Sequence, residues 1–545
     1  MLCGGLLPPP QSRRQAAQRW TAAAAGALWC CAAAFAQPSA PLPELGTVAP
    51  AADAAAVPQA LPATLDQRAF LQILTLRNAD IRYSRLGERA AGHARDAEAA
   101  LYEPVVFASW RREDRQRQRT FEERLQNVQT ASTEVLDEEV NVKELGVKSR
   151  VPSGGELSAT YRTTDRANNL IAMSKNANEF TSGLVFTFRQ PLRRGAGRDV
   201  TETDRRIAEI EHALATSQLQ QQWHKVGADG IAVYWQAYKA QETLRHREAS
   251  LRNTERLMND TRQRIEGGRV PASALLELQS VQLTRESELL RARQALSEAQ
   301  LKLLTTLNLP AEQLAALQLA PQWSAVPEAL RTADAQDRAA VDAALLNWPP
   351  LRQAELRRAQ AEIRLAFAAD QMRPQMDLVM SYSGSGLSYR SNQSRNYALS
   401  TRYPDWFIGV NMEWPAYGND RAKAHYQMQA QRRDQSELEA GAIRLAFAND
   451  LRSRELDVRN AVEVLANSEA DYRLRVQIDG VERERYRLGT GSLAAVIQKE
   501  AEMIESTLRR LDSQVRLEVA LATWHYLRGD LLADAGIELH DIPLR

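Results

Sequence analysis

Two stretches of this chain, from about residue 200 to 266 and from about 421 to 487, carry helical patterning without a proline. At about 1.5 Å per residue, roughly 67 residues make a helix of about 100 Å, wider than a globular domain. So polar a helix needs a partner along its length. Apolar residues at sevenfold spacing supply the seam: Leu244, Leu251, Met258 and Ile265 in the first stretch, Val458, Leu465 and Tyr472 in the second. This is coiled-coil packing. Each long helix ends at a glycine-bearing break, and a shorter helix returns, from Pro271 to about Thr306 and from Ser492 to about Arg528. Opening helices are expected over about 65–100 and 341–372, ending before Pro104 and Pro374. Asn78 and Asn347 hold comparable places in them. Two shorter helices stacked end to end match one long helix.

After each of those prolines the period changes to two. Met376, Leu378, Met380 and Tyr382 alternate with smaller or polar residues. Leu184, Phe186 and Phe188 alternate with Val185, Thr187 and Arg189; Trp406, Ile408, Val410, Met412 and Trp414 alternate with Phe407, Gly409, Asn411 and Glu413. One apolar and one mainly polar face suits a barrel with a wet interior; an amphipathic strand of a soluble sandwich is the alternative. Phe186, Phe188, Trp406, Ile408, Val410, Met412 and Trp414 are the candidate membrane-facing positions. Trp406 and Trp414 lie about 27 Å apart on an extended strand, which, tilted, sets them near the two rims of a bilayer's apolar band. Residues 111–180 read as an insertion of unfixed topology: Arg111 to Arg119 is very polar, Thr130 to Lys148 has no clear period, and Pro152-Ser-Gly-Gly155 reads as a turn before Glu156–Arg162, a candidate further strand.

The patterned halves are related by a constant shift of 221 residues: Gly197 falls on Gly418, Leu244 on Leu465, Arg264 on Arg485, Gly268 on Gly489 and Ala274 on Ala495. One structural unit used twice is the reading. It places a first repeat at 64–310 (strands 104–191, hairpin 198–308) and a second at 341–530 (strands 375–415, hairpin 418–528). A connector at 311–340 joins them, and a tail follows at 531–545.

Composition narrows the class. Charged residues make up 25% and aromatics 6% of 545 residues, with a formal net charge of +1. That is the palette of solvated helices and gives no pull toward nucleic acid. Arg13, Arg14 and Arg19 precede an apolar run from about Ala22 to Phe35, and Ala34-Phe35-Ala36 fits a cleavage site, so residues 1–36 read as a signal peptide. All three cysteines, Cys3, Cys30 and Cys31, lie within it. A lipoprotein would be lipidated at Cys30 or Cys31, but bulky Trp29 or Cys30 precedes each. A Pro- and Ala-rich linker at 37–63 follows. The seven histidines are scattered without metal-ligand spacing, and no phosphate loop or nucleophile elbow occurs. No enzyme activity, cofactor or metal is expected.

The hairpin ends are Arg264-Ile-Glu-Gly-Gly-Arg-Val-Pro271 and Arg485-Tyr-Arg-Leu-Gly-Thr-Gly-Ser492. Combined with Phe188-Arg-Gln-Pro-Leu-Arg-Arg-Gly195, its weaker counterpart Met412-Glu-Trp-Pro-Ala-Tyr-Gly418, and Leu278-Gln279, they give a resemblance. Over about residues 65–530 the chain resembles the TolC-like outer-membrane efflux protein family, the exit ducts of tripartite efflux and type I secretion systems. The resemblance implies a mainly α fold with membrane β. In it, a homotrimer shares one twelve-stranded β-barrel, four strands per chain, continued by a long α-helical coiled-coil periplasmic tunnel. It further implies a Gram-negative outer membrane location, contact with outer-membrane lipid, and export fed by an RND, MFS or ABC inner-membrane transporter through a periplasmic adaptor (membrane fusion) protein. Gly268, Arg269, Val270, Gly489, Thr490 and Gly491 would face the adaptor and the closable tunnel end. Some relatives carry aspartates after the second hairpin end; this chain has Ala495 and Gln498, with Ala274 in the first copy. Arg485, Arg487, Lys499 and Glu500 read as a solvated helix face, with a charge network as the alternative. Met258 opposite Asp479 and Val270-Pro271 opposite Gly491-Ser492 suggest that one end holds while the other moves. The competing class is a soluble periplasmic coiled-coil adaptor or scaffold. The exported substrate is not legible.

Overall fold

A computed structural model describes residues 64–125, 134–170, 178–268, 270–310, 318–327, 330, 344–346, 348–400 and 402–531. The signal-peptide, linker and most connector and tail positions, with Arg269 and Asn347, lie outside the described residues. In chain order the elements are β1 (Thr64–Leu65), α1 (Gln67–Arg77), α2 (Ala79–Ala99), β2 (Val105–Gln118), β3 (Val135–Arg150), β4 (Glu156–Asn168) and β5 (Glu179–Pro191). Then come α3 (Thr203–Glu266), α4 (Ser273–Thr306), β6 (Gln318–Leu319), α5 (Pro349–Gln371), β7 (Gln375–Ser388), α6 (Ser391–Leu399), β8 (Pro404–Glu413), α7 (Asp420–Arg487) and α8 (Leu493–Arg528). Short helices of one turn or so precede β2 and α3 and follow β2.

The long helices contain 64 and 68 residues, about 100 Å each. Each is flanked by two shorter ones. Along α3, His212 Nε2 meets Glu88 of α2 at 2.9 Å, while further on Arg247 pairs with Glu288 of α4 at 2.7 Å. Along α7, Arg357 and Arg444 of the α5–α7 pair bridge to Glu439 and Glu355, and Asp471 takes Ser506 and Arg509 of α8. The hydroxyl of Ser506 first, then Arg509, hold the Asp471 carboxyl below its usual range.

Two expectations shift. The opening helix breaks at Asn78, whose carbonyl oxygen caps α2 through Asp80 N and Ile81 N while its amide donates to Thr306 O at 3.0 Å. The cap is worth about 1 kcal/mol and ties the start of α2 to the end of α4. The α3 seam is rotated: Ser250, Thr254, Met258 and Thr261 are buried, whereas Leu244, Leu251 and Ile265 are half-buried. Small hydroxyl residues let neighbouring helices approach and leave room for Arg285 from α4, which bonds Ser250.

The main core gathers where the shorter helices abut. Leu65, Phe70, Leu74, Tyr234, Trp235 and Leu303 are fully buried there, and Trp323 stacks on Trp235 at 4.8 Å. The parallel pair β1–β6 lies beside them, fixed by Tyr234 Oη donating to Leu65 O and by the Gln241 amide bracketing Leu319. Among the described residues no helix is long and apolar enough to cross a membrane.

The sheet corrects the strand count. One antiparallel sheet of six strands runs β2-β3-β4-β5-β7-β8, where four were expected. The additional pair is the β3–β4 hairpin, which, with most of β2, occupies the segment read as an unfixed insertion. Helix α6 lies against β5 and β7, with Ser394 Oγ bonding Gly386 O at 2.8 Å and Ser182 Oγ at 3.0 Å. A Cβ on Gly386 would overlap Ser394 O, and one on Gly384 would overlap Ala398 O. Gly386→Val should therefore lift α6 off the sheet at a cost of about 1–3 kcal/mol. Faster protease cleavage within 391–403, with the rest of the chain unaffected, is the expected readout.

Candidate functional site: the sheet faces and the hairpin ends

Residues directly opposite in an antiparallel ladder point to the same side. The register therefore sorts every strand side chain onto one of two faces. One row crosses all six strands: Val106, Val147, Ala159, Phe186, Tyr382 and Trp406. The next row on that face is Ala108, Leu145, Tyr161, Leu184, Gly384 and Pro404. Below them come Leu157, Phe188, Met380 and Ile408, then Leu378 with Val410 and Met376 with Met412. Helix α6 lies over this face at Ser182, Gly384 and Gly386, and elsewhere the large side chains of the band are mostly exposed, Trp406 by 69%. Phe186, Phe188, Trp406, Ile408, Val410 and Met412 thus share one face, while Trp414 follows the end of β8.

The opposite face carries charge and hydroxyls. Glu144 pairs with Arg162 at 3.3 Å and accepts from Ser109 Oγ; Glu138 pairs with Arg166 at 3.2 Å; Arg189 donates to Asp377, its diagonal neighbour across β5 and β7. Between these pairs stand Ser158, Thr160, Thr187, Ser381 and Ser383. Beyond Trp110 the strands become charged on both faces, with Arg112 bridging to Glu139 on the side of the apolar band.

At the far end of the helices, Gly268 and Gly489 both adopt positive φ, 68° and 79°. That conformation lets Gly268 N bond Ile265 O, and Gly489 N bond Tyr486 O, closing each helix. Thr490 and Gly491 both donate backbone N–H to Arg485 O, and Ser492 Oγ caps α8 through Ala495 N. Gly268, Gly489 and Thr490 are exposed, whereas Val270 packs against a cluster of Met258, Ala274, Leu278, Tyr486, Leu493 and Val496. The two hairpins are therefore joined near their ends. Arg264 lies over the Tyr486 ring at 4.7 Å and donates to its carbonyl at 3.2 Å.

Slightly further from the ends lies a buried charge network. Glu500 of α8, 3% exposed, meets Arg285 of α4 and Arg483 of α7, each at 3.3 Å. Arg483 also pairs with Asp479 at 2.7 Å, and Arg285 bonds Ser250 of α3. All four hairpin helices contribute. This revises the solvated-face reading for Glu500, because that carboxylate points between the hairpins. Its companions do stay at the surface: Arg485 pairs with Glu482, Arg487 with Glu484 and Lys499 with Glu502. Their cations hold the Glu484 and Glu502 carboxyls below the usual range. Sequence reasoning missed Arg285 altogether.

The same fold is found in solved structures. The outer-membrane channel OprN is similar with a TM-score of 0.61 at 17% identity, over 85% of this chain and 89% of that one. The chain has the outer-membrane channel fold. The outer membrane protein VceC from Vibrio cholerae is similar with a TM-score of 0.60 at 10% identity, covering 85% and 96% of the two chains. The open state of the Neisseria gonorrhoeae MtrE outer membrane channel gives 0.59 at 13%, covering 86% and 89%. No family model and no curated protein matches the sequence.

Proposed function

We propose that this protein is the outer-membrane exit duct of a tripartite efflux or type I secretion system. It works as a homotrimer in a Gram-negative outer membrane and passes solutes or polypeptides from an inner-membrane transporter and a periplasmic adaptor to the exterior. The observation that carries this is the six-strand apolar row opposite a charged face. A soluble protein rarely leaves so large an apolar patch uncovered. Lipid covers it at no cost, and water in a lumen solvates the other side. The similar solved structures support the same reading at the level of fold. Phe186, Phe188, Trp406, Ile408, Val410 and Met412 then face lipid, with Trp414 at the periplasmic rim. The duct performs no chemistry; conduction depends on a wet lumen and on the hairpin ends parting. Gly268, Arg269, Val270, Gly489, Thr490 and Gly491 form the surface offered to the adaptor. Fractionation should recover the protein in the outer membrane, migrating as a heat-modifiable trimer on a gel. Recovery as a soluble periplasmic monomer would support the adaptor or scaffold reading instead.

A further inference from the structure

We infer that the β3–β4 hairpin is part of the lipid-facing wall, so that three copies of this chain close one eighteen-stranded barrel. This rests on the trimeric-channel reading above and adds to it the width of the pore. The first observation is register. Leu145 and Val147 on β3, and Leu157, Ala159 and Tyr161 on β4, are paired directly into the apolar rows that contain Phe186, Tyr382 and Trp406. Leu145 and Leu157 are exposed, like Trp406 and Ile408. β3 also buries Leu136, Val140 and Val142 on its other face beyond Trp110, so what marks the hairpin as wall is the direct alignment of its Leu145, Val147, Leu157 and Ala159 with the apolar rows of the neighbouring strands. Its polar face continues the same wet surface through Lys148, Ser158 and Thr160.

The second observation is the pair of open edges. β2 and β8 bound the sheet, and neither has a second strand partner among the described residues. Unpaired backbone groups are not tolerated in lipid, so a spanning sheet must close. Six strands are too few to close around a lumen, since eight already fill their interior with side chains. The chain alone is an incomplete pore. With an even number of alternating strands, β8 runs opposite to β2. The β8 edge of one copy can therefore pair antiparallel with the β2 edge of the next, apolar faces outward, in a head-to-tail ring. That edge-to-edge surface is the interface, and its partner is a second copy of this chain.

Width follows from strand number. At about 4.8 Å between strands and about 40° tilt, twelve strands give a backbone diameter of about 24 Å and eighteen about 36 Å, roughly doubling the cross-section. Twelve helices ringed at about 8–10 Å spacing have an axis-to-axis diameter of about 31–39 Å, so an eighteen-stranded barrel continues the tunnel at similar width where twelve strands would narrow it. Its lumen is lined by the Glu144–Arg162 and Glu138–Arg166 pairs.

Two measurements on the full chain, in a background with Cys3→Ser, Cys30→Ser and Cys31→Ser, test this. In the first, one cysteine at Val106, Ala108 or Trp110 is combined with one at Trp406, Ile408 or Val410, all on the apolar face, and oxidised in outer membranes. The expected result for at least one pairing is a covalent ladder that ends at three chains. A ladder ending at two, or no link at any of the nine pairings, overturns the inference. In the second, nitroxide labels at Leu145→Cys, Leu157→Cys and Thr160→Cys are compared with Ile408→Cys for collision with oxygen and with a water-soluble nickel chelate. Leu145 and Leu157 should match Ile408 in favouring oxygen, with Thr160 favouring the chelate. If Ile408 faces lipid but Leu145 and Leu157 face water, the hairpin lies outside the wall and the inference fails while the channel stands. If Ile408 itself faces water, the channel reading fails.

Discussion

Glu500→Ala is expected to loosen the union of the two hairpins and raise the open probability of the channel in planar bilayers by one to two orders of magnitude. Glu500 and Arg285 are 3% and 6% exposed. Truncating one member of such a pair strands the other charge away from water, at a cost of about 3–5 kcal/mol. Arg483 is partly exposed and retains Asp479, so it can turn to solvent. Among the described residues Arg285 has only Ser250 left, so the penalty falls on the seam between α4 and α8. If the closed state is the one in which this seam is made, a differential of about 1.4–2.8 kcal/mol between closed and open suffices for the tenfold to hundredfold shift. Replacing both partners, Arg285→Met with Glu500→Leu, should return the open probability toward the parent, because an apolar pair of similar size fills the seam without a stranded charge. An open probability unchanged in Glu500→Ala, with the trimer merely less heat-stable, would show that the network supports folding and not closure.

The network also explains why part of the site was hidden in the sequence. Leu493, Val496, Glu500, Ile504, Thr507 and Leu511 are all buried along α8 at spacings of three and four, and Ala274, Leu278, Arg285, Leu289 and Ala292 follow the same stripe along α4 at spacings of three, four and seven. A glutamate and an arginine on two heptad seams are the signal that was available. Treating charges on long helices as surface pairs passed over it. The long hairpins were legible because a single partner seam persists over many turns. The strands around Phe186, Met380 and Ile408 were legible because one face is uniformly apolar, which imposes a period of two. That contrast fails over residues 111–118 and 135–144, where Arg112, Asp114, Glu138, Glu139 and Glu144 leave charge on both faces. There the strand is specified by cross-strand ion pairs such as Glu138–Arg166, which no local window reveals. The four-strand expectation followed from the resemblance and from that blind segment together.

Register also sharpens what the sheet should tolerate. Ile408→Asp and Trp406→Asp are expected to abolish recovery of heat-modifiable trimer from the outer membrane. Ile408→Asp places a carboxylate within the apolar face beside Met380, and Trp406→Asp places one nearer its rim, beside Tyr382. A charge at the midplane of a lipid-facing strand costs up to about 2–4 kcal/mol, with aspartate toward the low end, and a trimer pays it three times. The natural counterpart from sequence alone would be Asn411→Asp on the polar face. The structure makes that a poor control, because Asn411 stands opposite Asp377 and like charges directly across a ladder repel. Ser381→Asp is the better one: its ladder neighbours are Thr187 and Phe407, on the charged, wet side of the wall. Normal trimer yield from Ser381→Asp, with less than a tenth of that yield from Ile408→Asp, is the expected outcome of heat-modified gels on membrane fractions. Equal yields from the two would mean that the register does not divide lipid from water, and the sheet would have to be covered by protein on both sides.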